Sequence, residues 1–121
     1  MVSIRGAITI DTNTKENIIN DTKTLLKDIL ISNNINNDQI ISIIFSATKD
    51  LTAAYPAIGA REIGIVDASL MCVSEMYVEN SLEMCIRVMV TVNIPKSQNE
   101  VKHIYLKKAK SLRPDLLDKM N

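Results

Sequence analysis

The stretch Cys85-Ile86-Arg87-Val88-Met89-Val90-Thr91-Val92 decides the fold. It is almost wholly apolar and rich in β-branched side chains, the composition of a buried central strand. Asn80-Ser81 leads into it, and Pro95 with Ser97-Gln98-Asn99 closes it. The anomaly is an arginine near its start. A guanidinium keeps its proton, so a strand that buries Arg87 must set an anion beside it or open it onto a cavity. An arginine at a strand end can also reach solvent or a structural carboxylate. The rest of the chain has to decide between these.

Further strand patterns lie on both sides. Ile40 to Phe45 is nearly uninterrupted isoleucine, which reads as a strand covered on both faces. Val2 to Ile10 is a strand with Arg5-Gly6 in its middle, where a glycine marks a bulge or a close approach by ligand or backbone. Ala68 to Val73 is a third apolar strand, followed by Ser74-Glu75-Met76. Val101 to Leu106 alternates, with His103 and Tyr105 on one face and Lys102 and Ile104 on the other.

Two helices are predicted. Asp11 to Thr14 are capping residues, Glu16 complements the dipole in the first turn, and Ile18, Ile19, Leu25, Leu26, Ile29 and Leu30 recur at helical spacing until Asn33-Asn34. A shorter helix starts at Pro56 and stops at Gly64, a residue suited to the left-handed position after a helix end. The expected fold is α+β: residues 1–121 as a single domain, with a mixed sheet of about five strands and one long and one short helix on one face. Such a half-covered sheet leaves an apolar side that self-association would hide.

Composition removes whole classes of function. Fourteen basic and fourteen acidic side chains balance, so no global field favours nucleic acid or an anionic membrane. Tryptophan is absent and aromatics are few, which argues against base-stacking platforms. No run is long enough to span a membrane and no signal-peptide pattern opens the chain, so a cytoplasmic protein is expected. Cys72 and Cys85 then read as reduced thiols. With His103 the sole histidine and three scattered glycines, no zinc-ligand spacing and no phosphate loop exist, and no cofactor is expected.

What remains is arginine. Arg5, Arg61, Arg87 and Arg113 come from strand, helix, strand and tail, with Tyr105, Glu75 and Cys72 as polar companions. Guanidiniums converging without partner carboxylates repel one another unless they hold a polyanion, and bidentate carboxylate recognition is their usual task. An enzyme built this way works by positioning and electrostatics. A ligand-binding protein or sensor of similar size would use one arginine for a small carboxylate. That accounts for Arg87 but not for Arg5, Glu75 and Arg113 together.

Seven short motifs carry a resemblance over essentially the whole chain. They are Ile4-Arg5-Gly6-Ala7, Ser46-Ala47-Thr48 with Asp50-Leu51, Pro56-Ala57 ahead of Arg61-Glu62, Glu75-Met76, Cys85-Ile86-Arg87-Val88-Met89, His103-Ile104-Tyr105-Leu106 and Leu112-Arg113-Pro114-Asp115-Leu116. In this order and spacing the chain resembles the monofunctional bacterial chorismate mutases that form trimeric pseudo-α/β barrels.

The resemblance implies an isomerase that converts chorismate to prephenate by a pericyclic rearrangement, on the route to phenylalanine and tyrosine. It implies a homotrimer with sites shared between neighbouring subunits. Carried over residue by residue, Arg87 is similar to the cation beside the ether oxygen, and Arg5 and Tyr105 to the groups holding the side-chain carboxylate. Glu75 and Cys72 resemble the partners of the ring hydroxyl, and Tyr55, Ala57 and Leu112 the apolar wall. Arg61 and Arg113 match the guanidiniums that close the entrance. Two positions differ: Ile58 stands where well-known members have lysine, and Met71, counted with the substrate-binding residues, where they have a small hydroxyl residue.

Overall fold

The computed structural model describes residues 1–112, so the expectations for Arg113 and the tail beyond it lie outside the described residues. Five strands form one sheet: β1 (Val2–Thr9), β2 (Ile40–Ala47), β3 (Ser69–Ser74), β4 (Cys85–Val92) and β5 (Ile104–Leu106), in the order β3-β2-β4-β1-β5. The Cys85–Val92 stretch is indeed the central strand, antiparallel to both neighbours. The outer pairs, β1 with β5 and β2 with β3, are parallel.

Helix α1 (Lys15–Ser32) starts where the capping residues predict: the Thr14 side chain accepts from the backbone N–H of Asn17. Its buried stripe is Ile18, Ile19, Thr22, Leu25, Leu26 and Ile29, with Leu30 half-buried beside it. Helix α2 (Ala57–Glu62) follows Pro56 and ends before Gly64, which takes φ +90°. It packs on α1 at Gly59, where a Cβ would come within 3.0 Å of the Ile19 carbonyl.

The two-residue period of β4 separates the faces of the sheet. Ile86, Val88, Val90 and Val92 are buried in the main core with the α1 stripe, Ile4, Ile8, Ile43 and Phe45. Arg87 and Met89 point the other way and are exposed. This corrects the reading of Ile40–Phe45 as a strand covered on both faces. Ile41 and Ile44 are 41% and 44% exposed, because helices cover one side only. A bulge makes the pattern illegible: Ile40 pairs with Val92 and Ser42 with Thr91, so Ile41 is an extra residue.

Gly6 is a close approach and not a bulge, since β1 runs in unbroken register along β4. A Cβ there would meet Ile29 Cδ1 at 2.8 Å, the Ile104 carbonyl oxygen at 3.1 Å and Leu25 Cδ1 at 3.2 Å. Gly6 therefore lets α1 sit down on the sheet. The isoleucine tip can yield, but the β5 backbone cannot without breaking its pairing. Gly6→Ala should destabilise the fold by about 1–3 kcal/mol, the usual cost of overpacking a filled core. Urea denaturation with unchanged m-value is the measure, and a variant as stable as the parent would show that the core has slack.

Strand β5 is shorter than the alternation of Val101–Leu106 predicts, and Ile104 and Tyr105 are both buried. His103 lies just outside it. Its ring Nδ1 accepts from the Arg5 backbone N–H at 2.9 Å, so a side chain extends the ladder where the strand has ended. This gives the sole histidine a structural task.

Candidate active site

One row of residues crosses the uncovered face of the sheet. Ser46 on β2 pairs with Arg87 on β4, Arg87 with Ala7 on β1, and Ala7 with Tyr105 on β5. Paired residues share a face, so the four side chains stand in line, with small Ala7 leaving room between Arg87 and Tyr105. Arg5 lies two residues before Ala7 and projects from the same face. Glu75 enters from the end of β3, anchored by its backbone N–H donating to the Ala47 carbonyl at 3.0 Å.

These groups line a cavity of about 360 Å³. Arg5, Ser46, Glu75, Arg87 and Tyr105 supply its polar wall, and Ile44, Met89 and Leu112 are apolar. Leu112 is brought in by the short 3₁₀ helix Lys107–Leu112 that follows β5. Ala7 and Tyr105 of this row are buried with Cys85 and Ala109 in a small second core, which packs Tyr105 in place.

The structure amends the expectation that the arginines have no partner carboxylate. Arg87 Nε pairs with Glu75 Oε1 at 3.1 Å, and the Ser46 hydroxyl donates to the same oxygen at 2.8 Å. Glu75 is thus no solvated turn residue: its side chain is 25% exposed. The Arg87 side chain is 49% exposed, so its charge opens onto the cavity. Ser46 was not singled out in the sequence. The signal was the point where the isoleucine run of β2 breaks, two residues after Ile44.

Cys85 lies beside Arg87 on the same face of β4 and is almost fully buried. Burial pushes its thiol up to about 11, against the opposing pull of the Arg87 guanidinium. The thiol therefore stays neutral and is not a nucleophile at ordinary pH. The unfolded chain ionises this thiol near pH 9 and the folded one near 11, so stability is full below pH 9 and falls between these values. The fall attributable to Cys85 should be roughly 2–3 kcal/mol. Denaturation of the parent and Cys85→Ala at pH 8 and 10.5 measures it: the parent should lose more, and equal losses would refute the buried-thiol assignment.

The remaining candidates fall elsewhere. Tyr55 and Cys72 line a second cavity of about 760 Å³ with Ile58, Lys15 and Lys49. Cys72 packs against the main core, on the helix side of the sheet and opposite to Arg87. Tyr55 is 71% exposed, Arg61 is exposed on α2, and Ala57 is buried in the core with its side chain turned inward. Met71 is 61% exposed on the uncovered face of β3. The candidates therefore fall into two separate groups: Arg5, Glu75, Arg87, Tyr105 and Leu112 line one cavity, and Tyr55 and Cys72 another.

Known proteins are similar to this chain over most of its length. The chain is 41% identical over 114 residues to chorismate mutase AroH of Bacillus subtilis, covering 93% of this chain and 90% of that one. It is 42% identical over 114 residues to chorismate mutase AroH of Thermus thermophilus, covering 93% of both. Among solved structures, a chorismate mutase from Clostridium thermocellum superposes with a TM-score of 0.88 at 50% identity, over 90% of this chain and 97% of that one. The family described as chorismate mutase type I matches residues 1–116, nearly the whole chain: the chain belongs to the type I chorismate mutases.

Proposed function

We propose that the protein converts chorismate to prephenate in phenylalanine and tyrosine biosynthesis, and that the Arg87 cavity is one half of its active site. The family membership supports the reaction, and the placement of Arg87 beside Arg5 and Tyr105 carries the site. Chorismate presents two carboxylates, a ring hydroxyl and an enol ether. Its rearrangement breaks a C–O bond while forming a C–C bond, with no covalent intermediate. Catalysis then consists of holding a reactive conformer and stabilising charge on the ether oxygen.

In this reading Arg87 faces the ether oxygen, and Arg5 with Tyr105 holds the side-chain carboxylate. Glu75 accepts from the ring hydroxyl while keeping Arg87 in place through Nε, which leaves the terminal nitrogens for the substrate. Leu112 is the apolar wall of this half.

The other half comes from a neighbouring copy in a homotrimer. Tyr55, Cys72 and Arg61 belong to that half. Support comes from the uncovered sheet face, where Ile44 and Met89 at the Arg87 cavity, and Met71 and Val73 on β3, are each more than 40% exposed. An exposed apolar face of this kind suits association with another copy of the chain.

Loss of chorismate's ultraviolet absorbance on mixing with purified protein tests the activity, and no loss above the uncatalysed rate would refute it. Sedimentation tests the assembly: a monomer that turns over chorismate would refute the shared site.

A further inference from the structure

The pentapeptide Ser46-Ala47-Thr48-Lys49-Asp50 grips both ends of the loop that joins Glu75 to β4. At the first end, Ser46 donates to the Glu75 carboxylate and the Ala47 carbonyl accepts from the Glu75 N–H. At the second, the Thr48 N–H donates to the Cys85 carbonyl at 3.1 Å, and the Thr48 hydroxyl accepts from the Cys85 N–H at 3.0 Å. That hydroxyl donates in turn to Asp50 Oδ1. Both Asp50 oxygens accept from the Met84 N–H, at 3.2 and 3.0 Å.

Met84 is the point of stress. It takes φ 52°, a left-handed conformation that residues with a side chain adopt only when held there. Its N–H is held by Asp50, and its carbonyl accepts from the Ile10 N–H at 2.7 Å. Three residues later comes Arg87. The Asp50–Met84 contact therefore lies where the chain enters β4, the strand that carries Arg87. Asp50 itself does not line the Arg87 cavity.

We infer that Asp50 is a positioning residue for the isomerisation, acting through Thr48 and the Met84 amide to fix Arg87 against Glu75. The inference rests on the Arg87 cavity being the chorismate site. A carboxylate suits the task because it only accepts, so Thr48 must donate to it and keep its lone pairs for the Cys85 N–H. An asparagine retains one acceptor for Met84 but can present its amide to Thr48, reversing that relay.

The experiment compares the parent with Asp50→Ala and Asp50→Asn by chorismate kinetics and by the ¹⁵N resonance of the Arg87 Nε–H. A displaced catalytic group should lower kcat about 10–100-fold in Asp50→Ala and about tenfold or less in Asp50→Asn, with KM within about threefold. The Arg87 Nε–H resonance should shift in both variants, and if Asp50→Ala fails to fold, Asp50→Asn carries the test. An unmoved resonance overturns the inference even where activity falls, because Asp50 would then be merely structural. A moved resonance with unchanged kcat overturns it also. Failure of the site reading looks different: the parent itself would not turn over chorismate, while the resonance would still report whether Asp50 sets Arg87.

Discussion

Arg87→Ala should fold, associate and lose at least 10²–10³ in kcat, or ~3–4 kcal/mol, the typical cost of removing one preorganised oxyanion donor. Folding survives because a half-exposed ion pair contributes only about 0–1 kcal/mol to stability. The kinetic constants then separate two roles. A cation that merely holds a carboxylate binds substrate and transition state alike, so its loss raises KM and leaves kcat nearly unchanged. A cation facing the ether oxygen gains strength as the C–O bond breaks, so its loss falls on kcat.

Glu75 sharpens this test. Removing Arg87 strips Glu75 of its cation and leaves a carboxylate facing a dicarboxylate substrate. KM should therefore rise as well, by repulsion. Combining Arg87→Ala with Glu75→Gln should bring KM back down while kcat stays low, since the charge at the ether oxygen is still missing. Arg87→Lys should recover only part of kcat, because an ammonium is a point charge and cannot keep Nε on Glu75 while presenting terminal nitrogens to substrate. An Arg87→Ala protein that keeps its kcat would overturn the mechanism.

Much of this was legible in the sequence, and the failures have physical causes. The central strand, the capped helix α1 and the Pro56–Gly64 helix are written in local patterns, and each appears where those patterns put it. The coverage of β2 was not legible. An apolar side chain such as Ile44 carries no mark of whether its own helices cover it, and the bulge at Ile41 erased the alternation that would have shown one exposed face. The Arg87–Glu75 pair was also hidden. It depends on where a loop of irregular backbone returns, with Asn80 and Met84 both at positive φ, and no periodicity encodes that. Cys72 and Arg87 read as companions in one dimension, yet the pleat and the pairing register set them on opposite sides of the sheet.

That separation leads to the other large effect. If the two halves of the site come from neighbouring copies, Arg87 and Arg61 of one chain never serve the same substrate. Arg87→Ala and Arg61→Ala should each be nearly inactive alone, yet co-refolded subunits should regain activity. A cyclic trimer makes each site from one chain's Arg87 and the next chain's Arg61. In an equal, random mixture about a quarter of sites then receive both intact arginines, so activity should approach about a quarter of the parent's. Against a background lowered 10²–10³-fold by the Arg87 loss, that is a gain of well over tenfold. Separate tags on the two variants, with purification through both, remove the unmixed assemblies; each mixed trimer then has one intact site in three, so the purified sample should reach about a third of the parent's activity. Mixed assemblies that stay as inactive as their parents would place each site within a single chain, and Tyr55 and Cys72 would then line a cavity unrelated to chorismate.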